Sequence, residues 1–179
     1  MITVEQPHDA IDFTDNDIQV LGNFPLSPRT TTLLLARNRV SSVQPSIAKS
    51  IPNLRNLVLA GNNLAELADL DVLAGFGRLT HLVLADNPVT KKEVSGILIR
   101  NRHDSVYDGA RLADIHGVRQ HYRYWVLWRC PSVRFLDYEK VKDAERQRGQ
   151  ELFGTAEEPT ELATTVRYEH YAPQPSCTV

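Results

Sequence analysis

The chain has 179 residues, of which 42% are apolar and 23% are charged, and its formal net charge is −2. This composition is typical of one soluble globular domain with enough apolar residues for a core, and a near-neutral charge is compatible with a local basic patch that touches nucleic acid. The sequence has no run of about 18 apolar residues and no basic, apolar leader, so neither a membrane span nor a signal peptide is predicted.

Four segments share one pattern, in which alternating apolar residues are followed by an asparagine. The clearest is residues 54–67, LRNLVLAGNNLAEL, which fits the leucine-rich-repeat template LxxLxLxxNxLxxL. The asparagines are Asn16, Asn38, Asn62 and Asn87, at spacings of 22, 24 and 25 residues. These spacings lie within the range of about 20 to 29 residues typical of this repeat class. The amide of Asn62 is expected to satisfy backbone groups of neighbouring turns.

The alternating apolar positions of each repeat are predicted to point into a core, as in a short strand. They are Ile11 and Phe13, Leu33 and Leu35, Leu57 and Leu59, and Leu82 and Leu84. Between these strands, Ile47 and Ile51 have the spacing of one helical turn. The predicted fold class is therefore α/β: a leucine-rich-repeat solenoid with a short parallel sheet on the concave face and helical or irregular turns on the convex face.

The C-terminal part of the chain is predicted to close the core with a helical cap. A helix is expected from His121 to Arg129, ending near Pro131, and a modified turn follows. The core positions of that turn are predicted to be Val133, Leu136, Tyr138 and Val141. The predicted domain covers 1–153, with repeats at about 8–29, 30–53, 54–78 and 79–93, an insertion at 94–120, the cap at 121–153, and a disordered tail at 154–179.

Several segments carry a resemblance to a known family. The most specific are DLDVLAGFGRLTHLVLADNPVTKKE and CPSVRFLDYEKVK. From about Asp9 to Phe153 the chain resembles the U2 small nuclear ribonucleoprotein A-prime family. The resemblance implies a non-catalytic spliceosomal scaffold in the nucleus. Such a scaffold holds an RNA-recognition-motif partner, the B-double-prime protein, against a stem-loop of the U2 RNA, together with other spliceosomal proteins.

The chain departs from that family in three places. The family begins with a helical cap and one further repeat, which this sequence lacks, and the tail after Glu161 does not resemble the family's ending. The extra segment from Val94 to Gln120 breaks the repeat rhythm, and its removal joins TKKE to HYRYW as in the family. A loop of this length is unusual in a compact solenoid. Two interpretations stay open: translation of a retained or unrecognised intron, and a genuine lineage-specific loop.

The residues that alternate with the core positions are predicted to form an apolar trough on the concave face, wide enough for a partner's helix. They are Asp12, Leu34, Val58 and Val83 in one column and Thr14, Ala36, Ala60 and Ala85 in the next, with His81 beside Val83. Asp12, Asp86 and Asp137 are expected to rim it. By the resemblance, a helix of the RNA-recognition-motif protein packs on Leu34, Val58 and Val83.

Cationic residues around the last turns are candidates for contact with RNA phosphates. They are Lys91, Lys92, Arg123, Lys140, Lys142 and Arg146. Arg37 and Arg39, beside Asn38, are similar candidates. The alternative interpretation of all these residues is a solvated surface.

No motif for catalysis, a cofactor or a metal is found in the sequence. The six histidines are scattered, and the sequence contains no HExxH, paired-cysteine, phosphate-loop or GxSxG motif. The alternative function is a regulatory leucine-rich-repeat subunit of a phosphatase or a cytoskeletal complex. Such a protein would share the fold and the concave face but bind a different partner.

Overall fold

The computed structural model describes residues 9–91, 118–155 and 157–164. Its strands are β1 (Ala10–Asp12), β2 (Val20–Leu21), β3 (Thr32–Leu34), β4 (Ser42–Val43), β5 (Asn56–Val58), β6 (His81–Val83), β7 (Phe135–Leu136) and β8 (Glu139–Lys140). One sheet has the order β1-β3-β5-β6-β7-β8 and is parallel up to β7, and β2 pairs with β4 on the other side of the repeats. The leucine-rich-repeat solenoid predicted from the sequence is therefore confirmed.

Short helices connect the strands on the convex side, and two longer helices form the cap. They are α1 (Ile47–Ser50), 3-10 helices at Ala68–Gly75 and Pro88–Lys91, α2 (Val118–Arg129) and α3 (Asp143–Phe153). Ile47 and Ile51 are fully buried, as their spacing predicts. None of the helices in the described ranges has the length and apolarity needed to cross a membrane.

The asparagines form a ladder between successive repeats. Asn62 Nδ2 donates to the carbonyl oxygens of Leu35 at 2.8 Å and Leu59 at 2.9 Å, and its Oδ1 accepts the Val40 N–H at 2.8 Å. Asn38 and Asn87 are buried in the same arrangement. Each side chain thus satisfies buried backbone groups that the strands leave unpaired. The role predicted for Asn62 is confirmed, and Asn38 and Asn87 share it.

Each repeat reverses through a residue in the left-handed region just before its asparagine. The φ angles are 58° at Asp15, 54° at Arg37, 65° at Gly61 and 60° at Asp86. Aspartate and glycine tolerate this conformation better than most residues, whereas an arginine there is uncommon. This shared conformation aligns the asparagines of successive repeats.

The C-terminal cap is an aromatic cluster. Trp125 is fully buried, its Nε1 donates to Leu67 O at 2.9 Å, and its ring meets that of Phe153 edge-on at 5.0 Å. The cap helix begins at Val118, three residues before the predicted start, and ends at Arg129 as predicted. The cap thus seals the last repeats with large apolar side chains.

The sequence-based placement of Tyr138 in the core is wrong. Asp137 and Tyr138 have φ angles of 49° and 67° and form the two-residue turn that reverses the chain into the antiparallel strand β8. Tyr138 is 77% exposed at the tip of this hairpin. Leu136 and Val133 are fully buried, as predicted.

The predicted start of a disordered tail at residue 154 is too early. Gly154 bridges to Pro159, and Trp128 Nε1 donates to Gly154 O at 2.8 Å. Ala163 is fully buried in the core cluster. These contacts extend the cap through residue 164. Residues 165–179 lie outside the described part of the chain, as do residues 94–117 of the predicted insertion.

Candidate functional site: the concave face

Strand register aligns the predicted apolar residues across the concave face. Asp12 pairs with Leu34, Leu34 with Val58, and Val58 with Val83. Leu34 and Val58 are half-buried, and Val83 is 8% exposed. The three side chains therefore form a continuous apolar row along the predicted trough. Val83 contributes the least accessible surface to this row.

The second column follows the first and is made of small side chains. Backbone hydrogen bonds connect it from repeat to repeat, with Arg37 N donating to Ala60 O at 2.8 Å and Gly61 N to Ala85 O at 2.9 Å. Thr14, Ala36, Ala60 and Ala85 are all half-buried. Small residues beside a branched apolar row leave room for the side chains of a docked helix.

A third column lies at the strand starts and is polar and aromatic. Asn56 Nδ2 donates to Thr32 Oγ1 at 2.8 Å. The exposed ring of His81 stacks on that of Phe135 with 4.7 Å between centroids and 5° between planes. His81 was predicted as a contact residue, whereas Phe135 was missed because the concave columns were taken from the four asparagine-containing repeats, and the turn that contains β7 has no such asparagine. The column gives the trough one polar wall.

Asp137 closes the other end of the row. It follows Leu136, which pairs with Leu82, so its backbone continues the position of Val83. Its Oδ1 accepts the Leu84 N–H at 2.7 Å, in place of the strand carbonyl that a further repeat would supply. Its Oδ2 is buried and has no hydrogen-bond partner in the described part of the chain. Burial raises the pKa of this carboxyl, despite the backbone donors that favour its ionised form.

The arginines beside Asn38 are held in ion pairs with the first repeat. Arg37 pairs with Asp15 through two hydrogen bonds, and Arg39 Nε lies 3.0 Å from Asp17 Oδ1. The hydrogen bonds to Arg37 lower the pKa of Asp15 and raise that of Arg37. Arg37 and Arg39 are therefore engaged between repeats, which weakens the expectation that they meet RNA.

Two predicted phosphate-binding residues have structural roles instead. Arg123 is only 9% exposed, donates to Leu136 O at 3.0 Å and pairs with Glu145 at 3.1 Å. Arg146 donates to Val133 O. Both side chains hold the cap together, so the prediction that they contact RNA phosphates is wrong. The sequence showed their charge but not their partners, which lie 13 to 22 residues away.

Three of the predicted cations remain exposed. Lys91 ends the second 3-10 helix, Lys140 lies in β8, and Lys142 precedes α3. Lys92 lies outside the described residues. Within the described part of the chain, the exposed cations of the predicted cluster are these three lysines.

A cleft of about 570 Å³ lies where the trough meets the cap. Ala85 and Asp86 line it from the concave face, Tyr122 and Tyr124 line it from α2, and Asp137 lines it from the hairpin turn. Glu139, Glu145, Thr90 and the cations Lys91, Arg123 and Lys142 complete its wall. Sequence analysis did not find this cleft, because it is built from segments on both sides of residues 94–117.

The described ranges contain no group of three or more histidine, cysteine, aspartate or glutamate side chains that could hold a metal ion. The arrangement on the concave face is suited to binding through apolar contact and surrounding charge. It brings together the predicted residues Leu34, Val58 and Val83 and leaves the remaining lysines around the cap.

Comparisons with known proteins agree with this architecture. A family model described as a leucine-rich repeat matches residues 2–118. The U2 small nuclear ribonucleoprotein A′ of Neurospora crassa is 62% identical over 164 residues, covering 92% of this chain and 54% of that protein. The human U2 small nuclear ribonucleoprotein A′ is 38% identical over 145 residues, covering 81% of this chain and 46% of that protein. The chain therefore spans about half the length of these relatives.

A solved structure is similar over a larger share of its length. The crystal structure of the Drosophila melanogaster SNF/U2A′ complex matches with 34% identity and a TM-score of 0.67. The match covers 90% of this chain and 74% of that one. The chain belongs to the leucine-rich-repeat family and, within it, to the family of U2 small nuclear ribonucleoprotein A′ proteins.

Proposed function

We propose that this chain is a non-catalytic scaffold that binds a helix of a partner protein on its concave face. The observation that carries the proposal is the aligned row of Leu34, Val58 and Val83 beside the small residues of the second column. Burying apolar side chains of a helix against this row favours association in proportion to the apolar area removed from water. Thr14, Ala36, Ala60 and Ala85 give the helix a close approach.

The partner we propose is an RNA-recognition-motif protein of the B-double-prime type. Support comes from the family of the chain and from the similar structure, which is a complex of U2A′ with SNF. Asp12 and His81 would contact the partner at the edges of the trough. The resulting pair would bind a stem-loop of the U2 small nuclear RNA, mainly through the partner, and would act with other spliceosomal proteins in pre-mRNA splicing in the nucleus.

Direct contact with RNA would involve the exposed lysines around the cap. Lys91, Lys140 and Lys142 can meet phosphate oxygens without reading bases. Lysines neutralising phosphates release condensed counterions, so their contribution must weaken as salt rises. A complex whose affinity for RNA does not change with salt would argue against these contacts.

Affinity purification of the full chain from nuclear extract tests the proposed function. We expect U2 small nuclear RNA and an RNA-recognition-motif protein to copurify with it. Recovery of a phosphatase or a cytoskeletal complex without U2 RNA would contradict the proposal and support the alternative regulatory role. Treating a second sample with ribonuclease before elution separates the two contacts, because a partner bound by the concave face should stay attached.

A further inference from the structure

The apolar row of the trough has a carboxylate at each end. Asp12 begins it in β1, and Asp137 follows β7 at the cap, with Leu34, Val58 and Val83 between them. Parallel strands lie about 4.8 Å apart, so the two ends of this five-position row are roughly 19 Å apart. An α-helix of about 13 residues covers that length, at a rise of about 1.5 Å per residue.

Neither carboxylate has a cationic partner among the described residues. Asp12 Oδ1 accepts the Thr14 N–H at 2.8 Å, and Asp137 accepts the Leu84 N–H. The neighbouring acids of the first repeat differ: Asp9, Asp15 and Asp17 are each paired with an arginine. The two acids that flank the trough are thus left without the ion pairs that their neighbours have.

The cap end of the row offers a pocket as well as a charge. Asp137 lines the cleft next to Asp86 and the tyrosines Tyr122 and Tyr124. Planar carboxylates and aromatic rings together suit a guanidinium group, which donates two parallel hydrogen bonds to a carboxylate and stacks on aromatic faces.

The cations of the cleft do not remove this preference for a basic group. Arg123 is already held by Glu145 at 3.1 Å and lies 3.7 Å from Glu139. Lys91 and Lys142 also line the cleft, are exposed, and form no ion pair with Asp137 among the described residues. The buried Oδ2 of Asp137 has no hydrogen-bond donor within residues 9–91, 118–155 and 157–164, and leaving a buried acceptor unpaired is unfavourable.

We infer that the helix bound in the trough carries a basic residue at each end of its apolar face, about 11 or 14 positions apart, which are the spacings nearest that length at which two residues share one helix face, with an arginine in the cleft beside Asp137 and a second cation on Asp12. This inference rests on the proposed function, since it specifies the chemistry of the helix that the concave face takes. The apolar row supplies most of the contact area, and the two acids select which helix fits and fix its position along the row.

Synthetic helical peptides of about 16 residues test the inference with the full-length chain. Both peptides carry the same leucine stripe; one has an arginine at one end and a lysine at the other, and the second has glutamates there. At an ionic strength of about 50 mM, we expect the basic peptide to bind about tenfold more tightly, and the difference to shrink as salt rises.

Variants that reverse or remove one of the two charges show which acid causes the effect. In Asp12→Lys the preference for basic ends should fall several-fold, and Asp137→Asn should reduce it while keeping an oxygen for the Leu84 N–H. Glu151→Gln is the matched control, because Glu151 is an exposed acid of α3 that lies outside both the row and the cleft; it should change the preference least. Circular dichroism of each variant checks that the fold is kept.

The outcomes separate this inference from the proposed function. Equal affinity for both peptides, with binding abolished by Val58→Glu, would overturn the inference and leave the helix-binding trough in place. Tighter binding of the acidic peptide would also overturn it. If neither peptide binds, the trough is not a helix site and both proposals fail.

Discussion

The two ends of the described solenoid hold their outermost strands by different chemistry. At the C-terminal end, Trp125 and Phe153 are fully buried and a carboxylate of Asp137 takes the place of a missing strand. At β1, Ile11 and Phe13 are only half-buried, and exposed ion pairs such as Arg37–Asp15 connect the first repeat to the second. Because exposed pairs contribute little and buried aromatic contacts contribute much, the cap end should be the more stable of the two.

The largest effect is expected from removing the centre of the cap. Trp125→Ala deletes a fully buried indole and its hydrogen bond to Leu67 O, and should lower the free energy of unfolding by about 4 kcal/mol. Urea unfolding followed by circular dichroism measures the loss. Tyr138→Ala is the control, since its exposed side chain at the hairpin tip should cost less than about 0.5 kcal/mol. Comparable losses in both variants would show that the aromatic cluster does not hold this end.

The asparagine ladder predicts a second, smaller difference in the free energy of unfolding, between substitutions in the interior repeats and in the first repeat. Asn62→Ala leaves the N–H of Val40 without its acceptor and removes one of the two asparagine donors from each of the carbonyls of Leu35 and Leu59, and should cost about 2 kcal/mol. Asn16 is exposed and, among the residues that the structure describes, its side chain donates to Phe13 O and Thr14 O of its own turn. Asn16→Ala should therefore cost less than about 1 kcal/mol in the same urea experiment. Equal costs would contradict the ladder as the source of repeat-to-repeat stability.

The smallest effects are expected in the pH dependence of the two ends, and they have opposite signs. Hydrogen bonds from Arg37 lower the folded-state pKa of Asp15. The stability from this pair is therefore present above the unfolded value of about 3.9 and is lost as pH falls through the lower folded value. Burial raises the pKa of Asp137, so its contribution is full below the unfolded value and declines as pH rises through the raised one.

Asparagine variants separate these two contributions. The deficit of Asp15→Asn relative to the unmodified chain should vanish toward acid pH. Asp137→Asn should instead gain stability relative to the unmodified chain as pH rises, because it removes a carboxylate that burial disfavours. Urea midpoints between about pH 3 and pH 7 give both curves. If the stability difference between variant and unmodified chain changed with pH in the same direction for both variants, the proposed difference between the two ends would be contradicted.

The fold could be predicted from the sequence wherever one residue determined a local geometry. Asn38, Asn62 and Asn87 fixed the register of the strands, and that register placed Leu34, Val58 and Val83 on one face. The hairpin at the cap could not be predicted in this way, because Asp137-Tyr138 is not one of the glycine-containing pairs that mark a tight two-residue turn.

The site was predicted less completely than the fold, because its residues are brought together by contacts between distant segments. Charge along the chain suggested Arg123 as an RNA contact, but the burial of its side chain depends on Glu145 and Leu136, which a helix and a hairpin bring together. The cleft beside Asp137 likewise combines segments separated by residues 92–117. Long-range packing of this kind leaves no local pattern in the sequence.

The central claim is that the row of Leu34, Val58 and Val83 binds the partner, and a pair of matched substitutions tests it most directly. Val58→Glu places a charge in the middle of the half-buried row, whereas Val20→Glu makes the same change on β2, where the side chain is 48% exposed on the convex side. Circular dichroism first checks that both variants are folded. We then expect Val58→Glu to lose the RNA-recognition-motif partner from nuclear extract and Val20→Glu to retain it. Undiminished recovery with Val58→Glu would contradict the account.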